Sequence, residues 1–307
     1  MTPVNLTFVA TGWISACYRL TCDDGTDWFL KLQPLSGPQA TAASFPAFYL
    51  PLSRELHMSG WLPDIAYPIS TNSGYLCACW EGWRVILHSY IKGQVVGHDG
   101  MTDSIVDRLA GLVGRLHRSL SSLNLQVHFY DAYEISFAGQ IVDVLTSLET
   151  TDRTDTVGQQ GLRDLLLPRR HDVLSALHRV QTLGHRAKAA EPAVVVCHAD
   201  LHGENLMLDD ADRLHIVDWE GAILAPPEQD LFMFADEPRF QDLFLPAYEA
   251  EAGTVVLDPD LLEFYSLRRL LEDLADWILR LATGEQGDVQ DAADLLELKN
   301  TLASLPS

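Results

Sequence analysis

Lysine is scarce in this chain: only Lys31, Lys92, Lys188 and Lys299 occur in 307 residues. Even with arginine the bases number 21 against 43 acids, a net charge of −22. Nucleic-acid affinity rests chiefly on cations facing phosphates, so no DNA or RNA partner is expected. An anionic membrane surface is disfavoured for the same reason. The deficit is uneven: residues 1–199 hold 18 acids and 15 bases, residues 200–307 hold 25 and 6. Such an acidic stretch is either a solvated face or a field that steers a cationic ligand.

Other absences narrow the reading. The five cysteines (Cys17, Cys22, Cys77, Cys79 and Cys197) are odd in number and lack zinc-site spacing. No basic and apolar leader opens the chain, and no apolar run is long enough to span a bilayer. The expectation is a reduced, soluble, cytoplasmic protein without a membrane partner. A glycine-rich phosphate loop is also missing: Thr11-Gly12-Trp13-Ile14-Ser15 has one glycine, and there is no Walker A sequence. No internal repeat is present.

The first ninety residues alternate β-prone runs with turns: residues 8–10, 16–20, 28–32, 76–80 and 84–90, the second and third joined by Asp23-Asp24-Gly25-Thr26. A helix is expected after Pro51, ending near Gly60. Beyond Gly93 the pattern turns helical. Ile105, Leu109, Leu112, Val113 and Leu116 recur at helical spacing behind Asp103 as cap, one helix is expected over 161–186, and two more over 260–282 and 289–302. His171, His178 and His185, seven apart, share a helix face without metal-site character. Trp83, Trp219 and Trp277 read as core.

Residues 194–219 carry the chemistry. The strand Val194–Cys197 delivers His198 and Asp200 to a loop, and Asn205 follows five residues after Asp200. A hairpin around Asp209–Arg213 then ends at Asp218. Phosphoryl transfer needs this inventory: a carboxylate to receive a hydroxyl proton, and hard oxygen ligands for Mg²⁺ on the phosphates. His198 and His202, four apart with no third ligand, do not make a zinc site.

His-x-Asp-x4-Asn followed by Asp after a short hairpin resembles the aminoglycoside phosphotransferase and choline-kinase-like small-molecule kinases. Ala199 stands where protein kinases place Arg, Trp219-Glu220 replaces their Phe-Gly, and no Ala-Pro-Glu segment follows. These departures point away from a protein substrate. The resemblance implies an α+β, bilobal protein-kinase-like fold with a small β-rich N-lobe (1–89), a linker (90–97) and a large, mainly helical C-lobe (98–307). It implies ATP or GTP as donor, Mg²⁺ as cofactor, and a monomer or homodimer. Asp200 becomes the catalytic base, and Asn205 and Asp218 the metal ligands. Lys31 becomes the phosphate lysine, and Glu55, the one acid between Trp28 and Pro63, its ion-pair partner. Ser15 falls in the phosphate loop, and the backbone of Ser89 and Ile91 faces the purine. His198 and Asp230 support the catalytic loop.

Asp-Trp at 218–219, Ala-Pro at 225–226, Asp-Leu at 230–231 and the late helix with Glu272-Asp273 look most like the spectinomycin phosphotransferase subgroup. A cationic aminocyclitol or aminoglycoside acceptor, held by Glu272, Asp273 and Asp276, is the expectation, with antibiotic resistance as the role. A kinase of another small alcohol, or a nucleotide-binding protein without transferase activity, stays open at this level.

Overall fold

In a computed structural model of the chain, the residues described are 2–9, 15–36, 45–150, 156–284 and 287–306. The fold is α+β, with strands gathered in the N-terminal part and helices predominating afterwards. The chain divides into two compact units: Met1–Tyr130 with Ala193–Val256, and Asp131–Pro192 with Leu257–Ser307.

The first unit opens with β1 (Pro3–Val9), β2 (Ala16–Cys22) and β3 (Asp27–Pro34), followed by α1 (Pro46–Met58), β4 (Ala78–Trp80) and β5 (Trp83–Ser89). The five strands form one antiparallel sheet in the order β1-β2-β3-β5-β4. Strand alternation sorts its residues onto two unlike faces. Cys17, Lys31 and Ile86 lie in cross-strand register and are buried, as is Gln33 one step along. The opposite face carries Phe8, Tyr18, Leu30 and Leu87 in one row and Leu6, Leu20, Trp28 and Ser89 in the next, none of them buried. Helix α1 begins at Pro46, five residues before the expected start, and holds Pro51 within it. Trp83, expected in the core, is 38% exposed; Trp219 is buried.

A short β6 (Gly93–Val95) leads to α2 (Asp103–Ser119). Its cap is Thr102, whose hydroxyl accepts from the Ile105 amide at 3.4 Å; Asp103 is instead the first helical residue, where its charge suits the helix dipole.

In the second unit, α3 (Ala138–Thr150), α4 (Val157–Leu166) and α5 (Arg170–Ala190) precede the return of the chain. The single helix expected over 161–186 is broken by a 3₁₀ turn at Leu167–Arg169, centred on Pro168. His171, His178 and His185 are exposed along α5.

Back in the first unit, β7 (Val195–Cys197), β8 (Leu206–Asp209), β9 (Leu214–Ile216) and β10 (Ile223–Ala225) surround the motif segment, and α6 (Glu228–Ala235) and α7 (Leu245–Ala252) follow. β7 pairs with β10, and β8 lies between β6 and β9. Helix α7 packs on α2, where Gly114 is required: a Cβ there would stand 2.6 Å from the Tyr248 carbonyl oxygen.

The second unit closes with α8 (Pro259–Thr283) and α9 (Asp288–Ala303). The Asp258 carboxylate caps α8 by accepting from the Asp260 amide at 2.8 Å. Leu267, Leu271, Leu274, Ile278 and Leu281 form its buried stripe, each contributing about 2 kcal/mol of apolar burial. No helix among the described residues is long and apolar enough to cross a membrane.

Candidate active site

Two short strand pairs hold the motif residues. β7 ends at Cys197, and the following loop carries His198, Asp200 and, in a 3₁₀ turn, Asn205. β9 ends at Ile216, and Asp218 follows in the left-handed region (φ 64°, ψ 62°). Ala199 is likewise left-handed (φ 69°). Non-glycine residues adopt this conformation at a cost, which the surrounding hydrogen bonds offset.

Those bonds converge on Asp230 of α6. Its carboxylate accepts the backbone N–H of His198 at 2.9 Å and of Ala199 at 2.7 Å. It also accepts from Nε2 of His117 on α2 at 3.0 Å, while the other ring nitrogen of His117 accepts from the Tyr248 hydroxyl at 2.9 Å. His117, His198, Asp230 and Tyr248 are all buried. His117, Cys197 and Asp230 come close enough to suggest a metal cluster. Their ligand atoms are already engaged, the Cys197 thiol with the carbonyls of Ala225 and Pro226, so the cluster is a hydrogen-bonded core. His198 donates from Nε2 to the Val217 carbonyl at 2.9 Å and meets Trp219 edge-on at 4.9 Å.

Asp200 and Asn205 are joined directly. The Asn205 amide nitrogen donates to the Asp200 carbonyl at 2.9 Å and to its carboxylate at 2.8 Å. This orientation turns the Asn205 amide oxygen away from Asp200. Together with the half-exposed Asp218 carboxylate it provides hard oxygen donors of the kind Mg²⁺ takes. His202 stands 3.3 Å from Asp200 and does not converge with His198 on a common point.

Lys31 of β3 reaches this cluster. Its ammonium lies 2.7 Å from the Asp218 carboxylate and 2.5 Å from that of Glu220. Burial by itself would lower its pKa, but Asp218 and Glu220 outweigh burial and hold it above the ordinary lysine value. Burial raises Glu220, against the pull of Lys31. Nearby on the same sheet face, burial drives the Cys17 thiol up to about 11, and burial with the Lys31 charge drives His88 down to about 3. Cys17 is therefore no nucleophile at neutral pH.

The expected Lys31–Glu55 pair is not formed. Glu55 sits half-buried on α1 and makes no ion pair among the described residues, because Glu220 occupies the lysine from the motif side. Glu220 is the site residue that sequence reasoning passed over. Its signal was the acid standing where protein kinases have glycine.

Ser15 is buried, and its hydroxyl has no partner among the described residues, an unmet hydrogen bond suited to a phosphate oxygen. Residues 11–14 of the expected phosphate loop lie outside the described residues. The Ser89 N–H donates to the Tyr67 carbonyl at 2.9 Å. Ile91 follows in the segment joined to the motif hairpin through the Asp210 N–H, which donates to the Lys92 carbonyl, and the Lys92–Asp210 ion pair at 2.9 Å.

In the second unit, Glu272 and Asp276 are exposed one turn apart on α8. Although both side chains reach solvent, protein crowding their carboxyls partly desolvates them and raises the pKa of both, against the nearby arginines Arg268 and Arg269 (Glu272) and Arg269 and Arg280 (Asp276). Asp273 is paired with Arg269 at 3.2 Å.

The phosphotransferase enzyme family (APH) matches residues 5–267. Among solved structures, spectinomycin phosphotransferase in complex with ADP and spectinomycin is similar at a TM-score of 0.75 and 18% identity, over 97% of this chain and 89% of that one. Amicoumacin kinase with AMP-PNP and Ca²⁺ follows at 0.60 and 16%, over 97% and 87%. Choline kinase from Streptococcus pneumoniae gives 0.58 and 15%, over 99% and 95%. These likenesses give the kinase-like α+β fold. With a match spanning most of its length, the chain belongs to the APH phosphotransferase enzyme family.

Proposed function

We propose that this phosphotransferase moves the γ-phosphate of ATP or GTP to a hydroxyl of a cationic small molecule, an aminocyclitol or aminoglycoside antibiotic, as a cytoplasmic resistance enzyme. The observation that carries the transfer chemistry is the cluster of Lys31, Asp218, Asn205 and Asp200, in which Lys31 meets Asp218 and Asn205 meets Asp200 at 2.7–2.9 Å. Residues 1–89 form the nucleotide lobe, 90–97 the linker and 98–307 the catalytic and acceptor portion. At Ser89 the purine contact falls to the carbonyl oxygen, since the N–H is engaged with Tyr67. Asn205 and Asp218 would hold Mg²⁺, which supplies charge neutralisation on the phosphates. Asp200 orients the acceptor hydroxyl and takes its proton as the oxygen bonds to the γ-phosphorus, whose bond to the bridging oxygen breaks to release the nucleoside diphosphate. Lys31 binds phosphate oxygens, with Glu220 fixing its position, and the Ser15 hydroxyl donates to the phosphates. The test is magnesium-dependent nucleotide consumption against a panel of hydroxylated amines and neutral alcohols.

Lys31→Ala and Glu220→Ala each weaken turnover, and together they cost much less than the sum of the two, because the pair acts as one unit. Glu55→Ala has little effect. Additive losses at Lys31 and Glu220, measured as kcat/KM, would show that Glu220 does not position the lysine.

The acceptor reading rests on the acidic balance of residues 200–307 and on the spectinomycin-bound relative, and it assigns Glu272, Asp273 and Asp276 of α8 to the acceptor's cation. Charges beyond a Debye length of about 8 Å are screened at physiological salt, so acids near the acceptor matter and distant ones serve solubility. Glu272→Gln or Asp276→Asn raises acceptor KM and leaves nucleotide KM unchanged. Both carboxyls have raised pKa values, so they stay protonated above the ordinary carboxylate range and attract a cation only after deprotonation. Acceptor KM therefore falls as pH rises through that raised range, and it climbs with added salt. Preference for a neutral sugar over every amine would overturn the acceptor and leave the transferase standing.

A further inference from the structure

The sheet that presents Lys31 on one face offers the other face to solvent. On that outer face Leu6 and Phe8 of β1 are 51% and 61% exposed, and Val4 at the start of the same strand is 63% exposed. From β1 the rows led by Phe8 and Leu6 run across β2, β3 and β5 with no charged residue in either. As the edge strand, β1 is exposed on both sides; on β2, β3 and β5 the inner row of Cys17, Lys31 and Ile86 is buried, whereas neither outer row is. A contiguous apolar surface of this kind on a folded protein marks an interaction site.

We propose that two copies of this chain associate through this face, stacked sheet against sheet about a twofold axis. Three features favour a second copy over other occupants. The first is charge. Of the net −22, residues 1–92 carry only −1, from six acids and five bases. A self-association there brings together the part of the chain with the least charge, where repulsion between two strongly acidic copies is weakest. The second is shape. A regular antiparallel face is self-complementary under a twofold rotation and packs at the usual spacing of about 10 Å between stacked sheets. The third is area. Four strands of seven or eight residues and the three-residue β4, at about 3.3 Å per residue and about 4.8 Å spacing, give a footprint of roughly 500 Å² per copy. The pair thus buries about 1,000 Å², the lower bound for a specific interface. A bilayer is the rival occupant, and the turns at the ends of the face oppose an anionic one: they carry Asp23, Asp24 and Glu81 and no base.

Sedimentation velocity over a wide protein concentration range tests the proposal. The wild-type chain is expected to pass from monomer to dimer with rising concentration. Leu6→Glu, which places a carboxylate on the face in each copy, raises the dissociation constant by at least about 100-fold. Asn5→Glu on the same strand points to the opposite side and leaves association unchanged. Both positions are exposed, so neither change removes core packing, and circular dichroism verifies that each variant is folded. Three results overturn the proposal: a monomer at every concentration, a dimer indifferent to Leu6→Glu, or equal loss with Asn5→Glu, which would indicate pairing of β1 edges. Flotation of monomeric protein with neutral phosphatidylcholine vesicles, abolished by Leu6→Glu, would assign the face to lipid instead.

Discussion

Asp200→Asn lowers kcat by about 10²–10⁴-fold, the usual worth of a positioned general base, while nucleotide affinity stays near that of the wild type. The substitution preserves the shape of the side chain and removes its capacity to take a proton. It also sets an amide against the Asn205 nitrogen, which in the wild type donates to the carboxylate at 2.8 Å. Steady-state rates with saturating acceptor, paired with calorimetric nucleotide binding, separate the two effects. Asp218→Ala is expected to behave differently: with Asp218 on the metal side of the proposed site, it weakens Mg-nucleotide binding as well. A kcat for Asp200→Asn within about tenfold of wild type would mean that another group receives the proton.

The second large effect is on stability. Asp230→Ala strands three buried donors at once: the backbone N–H groups of His198 and Ala199, and Nε2–H of His117. Each unsatisfied buried donor costs about 1–3 kcal/mol, and loss of a shared charged acceptor typically totals about 3–5 kcal/mol. Thermal melting should fall by roughly 10 °C. The folded fraction should also turn over slowly, because Ala199 loses the bond that holds its left-handed backbone next to Asp200. Tyr248→Phe, which removes only the outermost hydroxyl of the chain of contacts, should give a small fraction of either effect. A melting point within about 2 °C of wild type for Asp230→Ala would show that water or a shifted loop replaces the carboxylate.

The motif was legible because its parts are close in sequence. Asp200 and Asn205 share one loop, and the hairpin to Asp218 is marked by its own turn residues, so local spacing reports spatial proximity. Lys31 was legible as the sole lysine of the first strands. Its partner was not. Choosing Glu220 over Glu55 depends on how α1 packs against the turn after Asp218, which no periodicity records. Helix α3 went unread because Ile141, Val142, Val144 and Thr146 are β-branched, and Gly139 interrupts its first turn. The long helix over 161–186 was read through Pro168, although a proline inside such a pattern is the ordinary sign of a break.

The order in which the chain visits its two units bears on how it is made. Leaving the first unit after Tyr130 and re-entering it at Ala193, the polypeptide separates β6 from its partner β8 by more than a hundred residues. On a ribosome, β1–β2, β2–β3 and β4–β5 can pair as local hairpins as they emerge, with β5 reaching β3 across α1, whereas the loop carrying Asp200 has no Asp230 to close on until α6 is synthesised. Helices α3, α4 and α5 wait longer still, since α8, which packs on all three, comes near the end. Assembly thus depends on distant pairings, which fold slowly and leave apolar helix faces open meanwhile. Translation halted after Val256 would yield those three helices without their central partner, a nascent species fit for chaperone capture or proteolysis.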